Sequence, residues 1–321
     1  MARRKKGRKV HGWLILDKPY DYGSTEAVSR VKWFAEAQKA GHAGTLDPLA
    51  TGILPIAFGE ATKTVPFVQD GLKTYRFTAR WGVRTSTDDR EGEVVGRSAE
   101  RPTRAAIVSA LPQFTGDIEQ VPPQFSAVLV DGERAYDLAR EGETVTLEPR
   151  QVFIERLDLI DMPDADHAEF EAVCGKGTYI RALVRDLAAV LGTVGHVAAL
   201  RRTRVGPFGE AQAVTMEELT GHPPGEKIPA EARDHGRFDS HLVPIGDALA
   251  DYPKEKVAGF EAARLRSGQG VVLAPPRARA LRAGEAGMLE TVLAEDDQGA
   301  VALCRLDGLT LAPTKVFQLD G

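Results

Sequence analysis

The sequence predicts an α+β fold: a mainly antiparallel mixed sheet flanked by helices and loops, followed by a small β-rich C-terminal module. Three observations carry this. Apolar runs of strand length are mixed irregularly with segments of helical periodicity, without the regular strand–helix alternation of a doubly wound parallel sheet. From about Asp251 the composition shifts to short apolar runs split by Gly, Pro and Asp, such as residues 287–294 and 300–306, which suggests an all-β module. The 321 residues suit roughly two domains of ~100–200 residues each, and no internal repeat is visible.

The elements follow in order. Residues 10–17 read as a strand entering a Lys18-Pro19 turn. Ser24 or Thr25 is placed to cap a helix in which Ala27, Val28, Val31, Phe34 and Ala35 recur at helical spacing. Residues 41–52 are glycine-rich and loop-like, and 53–58 and 74–81 read as strands. Residues 85–96 are polar and acidic, a loop or hairpin, and 103–111 look helical. Residues 125–130, the Asp131-Gly132 turn and 135–140 suggest strand, turn and helix. Strands are expected over 152–160 and 168–173. Residues 178–191 form a helix with Ile180, Leu183, Val184, Leu187 and Val190 on one face. Residues 194–200 lead into the basic run Arg201, Arg202, Arg204. Residues 221–240, rich in Pro, Gly and charge, read as a linker-like loop. The expected division is a basic tail over 1–9, a main domain over 10–250 and a C-terminal module over 251–321.

Composition narrows the function classes. Hydrophobic residues at 43% and charged residues at 27% are ordinary for a globular protein with a sizeable core. No run of ~18 apolar residues is present, so no membrane helix is expected. The basic start is not followed by an apolar core and does not read as a secretory signal. Cys174 and Cys304 are far apart, which fits a reducing cytoplasm. The net charge of −5 hides an asymmetry. Arg3, Arg4, Lys5, Lys6, Arg8 and Lys9 put +6 into nine residues, leaving 35 of the 41 basic side chains against 46 acidic ones. Such a tail either grips phosphate or merely aids solubility. A nucleic acid would have to meet the acidic remainder through local basic patches.

The run G-H-A-G-T-L-D-P-L-A-T-G, residues 41–52, singles out Asp47. Gly41, Gly44 and Gly52 permit tight backbone paths, and Pro48 steers Asp47 away from helical backbone. Leu46, Leu49 and Ala50 surround the carboxylate with apolar groups, where a charge is costly unless a cation pairs with it. Asp-Pro is also common in surface turns, so on the residues alone both readings stand.

Residues 41–63, G-H-A-G-T-L-D-P-L-A-T-G-I-L-P-I-A-F-G-E-A-T-K, resemble the signature of bacterial tRNA pseudouridine-55 synthases, the TruB family. Lys73-Thr74-Tyr75 resembles that family's K-x-Y motif, and W-G-V-R-T-S-T-D-D-R-E-G over 81–92 resembles the segment after it. Residues 122–136, K-G-T-Y-I-R over 176–181 and H-V-A-A-L-R-R over 196–202 are similar to three further blocks. Together they span ~12 to ~205. The C-terminal module resembles a PUA RNA-binding domain more weakly. One departure is Leu129, which stands where the family's third block commonly has lysine.

The resemblance implies a pseudouridine-synthase fold and isomerisation of uridine 55 in the T-loop of tRNA, with base flipping and no cofactor. It implies catalytic roles for Asp47, for Arg181 as the arginine paired with it, and for Tyr75, whose ring can stack on uracil. It implies RNA contacts at His42, which would fill the space left by the flipped base, and at Tyr179 and Leu200, which line the uracil pocket. Lys63, Arg201, Arg202 and Arg204 are expected as phosphate contacts, and Arg185 as a solvated helix position. No metal site is expected, since His42 has no second ligand at suitable spacing. The implied partner is the T-arm stem-loop of tRNA, with no membrane and no obligatory protein partner, for a cytoplasmic monomer. Three alternatives compete: a non-catalytic tRNA-folding chaperone, a guide-RNA-directed relative, and a hydrolase with paired carboxylates. A pure binder has no use for a carboxylate facing RNA, and no second carboxylate sits beside Asp47 in its motif. Glu60, the nearest, reads as the start of a helix.

Overall fold

The computed structural model describes residues 7–126, 129–130, 133–134, 146–283 and 287–319. Arg3 to Lys6, the Asp131-Gly132 turn, the helix expected over 135–140 and the Leu129 side chain lie outside the described residues.

The main domain is built on a ten-stranded mixed sheet. Its path runs Val214–Thr215, Gly12–Lys18, Thr51–Phe58, Gly195–Val205, Lys73–Trp81, His167–Cys174, Arg150–Asp161 and Gly116–Gln120. Phe208–Gly209 and Ala40–His42 pair off this path. Gly12–Lys18 with Val214–Thr215 and Thr51–Phe58 with Gly195–Val205 are parallel, and the other pairings are antiparallel, as expected. Val83–Thr85 and Val94–Arg97 form the hairpin anticipated over 85–96.

The sheet buries apolar side chains at alternate positions. Along Lys73–Trp81, Phe77, Ala79 and Trp81 enter a core shared with the helices Ile180–Val190 and Arg104–Ala110, while Arg76 and Arg80 face solvent. Ile180, Leu183, Val184 and Leu187 are buried as expected, but Val190 is half exposed. At 100° per residue position 190 falls off the stripe, and Leu191 packs against the core in its place. The helix Ser24–Phe34 packs into a second cluster with Leu14, Leu54 and Phe58. Its start corrects the capping expectation. Gly23 is the N-cap and no side chain caps the helix, because Ser24 turns inward to the Leu46 backbone.

Residues 221–240 are less linker-like than their composition suggests. They form the helix His235–Ser240, and Ile228 and Phe238 are buried in the second cluster, Phe238 edge-on to Phe58. The C-terminal module is β-rich, with a five-stranded sheet in the order Lys254–Lys256, Leu289–Asp296, Gly299–Asp307, Thr310–Val316, Val271–Val272. It is not all-β, for it carries the short helices Phe260–Arg266 and Pro275–Arg282. Pro275-Pro276 reads as a breaker in sequence, yet proline is well tolerated in the first turn of a helix. A third cluster fuses module and main domain, with Phe317, Leu293 and Leu303 packed on Trp13, Val68 and Phe208.

Candidate active site

Asp47 sits on the loop between Ala40–His42 and Thr51–Phe58, two strands that pair with each other. The loop closes through Ala43 N–H donating to the Pro55 carbonyl (2.9 Å) and Ala50 N–H to the Asp47 carbonyl (3.1 Å). Ser24 exchanges two hydrogen bonds with Leu46, its Oγ donating at 2.7 Å and accepting at 2.9 Å. Leu46, Leu49 and Ala50 are buried, so the apolar seat expected around the carboxylate is present.

Two buried cations grip the same loop by its carbonyls. Lys18 Nζ donates to Pro48 (3.1 Å), Tyr22 (2.7 Å) and Pro19 (2.9 Å). Burial pulls the Lys18 pKa down to about 8, with Asp47 opposing the shift. Arg202 donates to the carbonyls of Gly44 (3.2 Å), Thr45 (3.1 Å) and Ile53 (2.8 Å). Gly52 has φ +101°, and a Cβ there would collide with the Arg202 carbonyl, so loop and strand meet backbone to backbone.

Arg181 Nη2 lies 2.8 Å from Asp47 Oδ2. The guanidinium is 6% exposed and the carboxylate 35%, so the cation is fixed in the protein while the anion is partly open to solvent. Arg181 also donates to the carbonyls of Thr87 (3.2 Å) and Phe125 (2.9 Å), and its Nη1 stands 3.6 Å from Asp89 Oδ2. Asp89 is a buried second carboxylate that the motif around Asp47 did not reveal. It accepts from Thr87 Oγ1 (2.5 Å) and from Glu91 N–H (3.0 Å). Its signal lay in T-S-T-D-D-R-E-G, where adjacent aspartates precede the next charged pair. Lys18 was legible only as a turn residue, although a lysine ending the apolar strand W-L-I-L-D-K was its cue.

One helical turn beyond Arg181, Arg185 contradicts the expectation of a solvated position. It contacts Asp88 (3.3 Å), Asp186 (2.8 Å) and the Val121 carbonyl (2.8 Å), and is 20% exposed. Burial raises the Asp88 pKa.

The other expected site residues divide. Tyr75 is half-buried against the core containing Leu46, Leu49 and Leu200, and burial raises its pKa against the opposing Arg202 charge. Tyr179 is the N-cap of the Ile180–Val190 helix, its N–H donating to Gln120 Oε1 (2.8 Å) and its carbonyl accepting from Gln120 Nε2 (3.2 Å). Burial raises its pKa too, and the Asp47 charge adds to the effect. Leu200 is a buried core residue opposite Phe77. His42 ends a strand, half-buried, with its pKa lowered by burial and by Arg202.

The expected phosphate contacts differ in their surroundings. Arg202 is 1% exposed and bonded to loop carbonyls, out of reach of a phosphate. Lys63 is engaged by Glu60 one turn away (2.5 Å) and by the Val316 carbonyl (2.7 Å) of the C-terminal module. An (i, i+3) acid–base pair was readable from G-E-A-T-K, and Glu60 does lie in the Gly59–Thr64 3₁₀ turn. Arg201 holds Asp17 with two nitrogens (2.7 and 3.0 Å) and also Glu210 (2.7 Å), which raises its pKa. Arg204 is exposed and bonded to the Gly206 carbonyl. Among the described residues no group of three or more His, Cys, Asp or Glu could hold a metal, and no helix is long and apolar enough to cross a membrane.

Residues 32–180 match the TruB family pseudouridylate synthase N-terminal domain, and residues 181–250 match the tRNA pseudouridylate synthase B C-terminal domain. A tRNA pseudouridine synthase B of Caulobacter vibrioides is 54% identical over 319 residues, covering 99% of this chain and 100% of the relative. One of Sinorhizobium medicae is 57% identical over 271 residues, covering 84% of this chain and 86% of the relative. Among solved structures, a chain of an H/ACA ribonucleoprotein bound to a substrate RNA containing 2′-deoxyuridine superposes with TM-score 0.68 at 20% identity, covering 99% of this chain and 92% of that one. A chain of a Cbf5–Nop10–Gar1 complex gives TM-score 0.65 at 22% identity, covering 96% and 85%. At those identities the structures speak for the fold, a pseudouridine-synthase fold with a β-rich C-terminal domain. The relatives and the matched domains together place this chain in the TruB family of pseudouridylate synthases.

Proposed function

We propose that the chain isomerises uridine 55 in the T-loop of tRNA to pseudouridine, with Asp47 as the essential carboxylate. The observation that carries this is the Asp47–Arg181 pair: a part-exposed carboxylate held 2.8 Å from a buried guanidinium. The guanidinium fixes one carboxylate oxygen, leaving the other for the ribose of a flipped-out nucleotide. The N1–C1′ bond breaks, the ring turns, C5 bonds to C1′, and the proton leaving C5 is replaced by one gained at N1. Atoms and oxidation state are conserved, so the step calls for no redox partner. The Asp47 carboxylate serves as nucleophile at C1′, as base at C2′ or as nucleophile on the uracil ring. Tyr75 and Tyr179 would contact the uracil, Leu200 would line its pocket, and His42 would enter the vacated stack.

The C-terminal unit over 251–321 would act as a PUA-like RNA-binding domain beside a catalytic domain over 10–250, a division supported by its own apolar cluster from Val257 on. The T-arm stem-loop would suffice as substrate for a cytoplasmic monomer with no obligatory protein partner. A purely chaperoning protein would leave the Asp47–Arg181 pair without a task. The test is to incubate purified protein with unmodified tRNA transcript and map pseudouridine by chemical derivatisation. Product at the T-loop uridine without added protein or cofactor supports the reading, and an unmodified transcript under conditions of tight binding overturns it.

A further inference from the structure

The rim of the active site carries one aromatic–cation pair that the chemistry above leaves without a task. The Arg90 guanidinium lies over the Tyr20 ring, 4.3 Å from its centroid. Tyr20 is 44% exposed and Arg90 is exposed. Tyr20 stands between Lys18 and Tyr22, and both neighbours reach the Pro48 carbonyl next to Asp47, the first by its Nζ and the second by its N–H. Arg90 follows Asp89, the carboxylate beside Arg181. The pair therefore joins two segments that both border Asp47. Asp21 holds the turn after Tyr20 with φ +55°, a left-handed conformation that a non-glycine residue adopts rarely and that clusters at functional sites.

The charges around this pair sharpen its meaning. Asp21, Asp47, Asp89 and Glu91 are close enough that the three aspartates, after burial, raise the Glu91 pKa. Lys18, Arg181 and Arg202 are buried and spend their donors on carbonyls and on Asp47. Among the described residues Arg90 forms no ion pair, so it offers a cation at an otherwise acidic rim. A guanidinium lying on a ring keeps its N–H edge free, which suits a phosphate. An exposed ring face suits a base, and sequence does not matter to such stacking.

We propose that Tyr20 and Arg90 form a nucleotide-docking platform, taking a base that flanks the target uridine on the ring and a backbone phosphate on the guanidinium. This rests on the reading of the Asp47 site as one that acts on tRNA. The test is tRNA affinity across a salt series for the full chain and for Tyr20→Ala, Tyr20→Phe, Arg90→Ala and Arg90→Lys. Tyr20→Ala should weaken binding about 10-fold while Tyr20→Phe keeps the parent affinity. Arg90→Ala should weaken binding and flatten the log–log salt slope by about one, while Arg90→Lys keeps the slope. Parent affinity and slope in both alanine variants would overturn the platform and leave a surface packing contact. Should Tyr20→Ala unfold, Arg90→Ala decides alone. Turnover by the parent separates the two ideas: a parent that binds but never isomerises sinks the catalytic reading, whereas an active parent with unaffected variants sinks only the platform.

Discussion

At the scale of single residues, the site is a carboxylate in an apolar seat, paired with one buried guanidinium and bordered by further carboxylates. Asp47→Asn keeps the shape of the side chain and removes its charge. Isomerisation should fall by at least about 100-fold, the usual contribution of a positioned acid–base group, with tRNA affinity retained. Single-turnover rates alongside filter binding would check both halves. Arg181 touches Asp47, Asp89 and two carbonyls from separate segments, so Arg181→Lys cannot replace it. That variant should lose most activity, and a rate close to the parent's would count against the pairing. Buried lysines make a different prediction. Lys73, 6% exposed, has its pKa lowered to about 8 mainly by burial. The folded pKa lies below the unfolded value of 10.5, so between pH 8 and 10.5 the unfolded chain binds more protons and stability from this group rises with pH. Relative to Lys73→Met, the parent should gain up to about 1.4 kcal/mol per pH unit in that window. Denaturant titrations at pH 8, 9 and 10 would measure it.

At the scale of elements, the Ile180–Val190 helix acts through its first two turns. Arg181 bridges the Thr87 and Phe125 carbonyls, and Arg185 bridges Asp88 and the Val121 carbonyl, so two rungs tie the same pair of loops together. Arg185→Ala leaves the buried Asp88 without this cation and should destabilise by about 1–3 kcal/mol, with a smaller loss of turnover than Arg181→Ala. Thermal unfolding and steady-state kinetics on both variants would compare them. The helix itself was legible because its apolar stripe is strong. Its arginines were not, because periodicity says which face is buried but not that a loop will fold over the polar edge. Arg181 was found through its motif and Arg185 was missed for lack of one. The same limit hid Asp89 and Lys18. Pairing across more than a hundred residues, as between Arg202 and the Gly44 carbonyl, leaves no local pattern to read.

At the scale of the molecule, strand positions and the α+β character were written in alternating apolar residues, whereas the way the two domains join was not. Phe317 looks like an ordinary apolar residue near the end of a strand-rich stretch. It is 1% exposed and packs on Trp13, Val68 and Phe208, while Glu60 accepts from Gln318 N–H (2.9 Å) and Lys63 donates to Val316. G-E-A-T-K thus serves as a seat for the C-terminal module. Phe317→Ala should cost about 3–5 kcal/mol, the usual toll of deleting a buried phenyl group. A shared core also predicts that both domains unfold in one transition, so fluorescence and circular dichroism should give the same midpoint.

The meeting of Gly52 with the Arg202 main chain restricts which mutations this enzyme could survive. A flexible obstacle can swing aside, but a peptide group in a central strand cannot. Any residue other than glycine at position 52 would therefore shove the neighbouring strand outward, and with it the hand that holds Gly44 and Thr45. Second-site suppressors of such a lesion should be scarce, and a saturation library screened for growth or turnover ought to return glycine there almost alone.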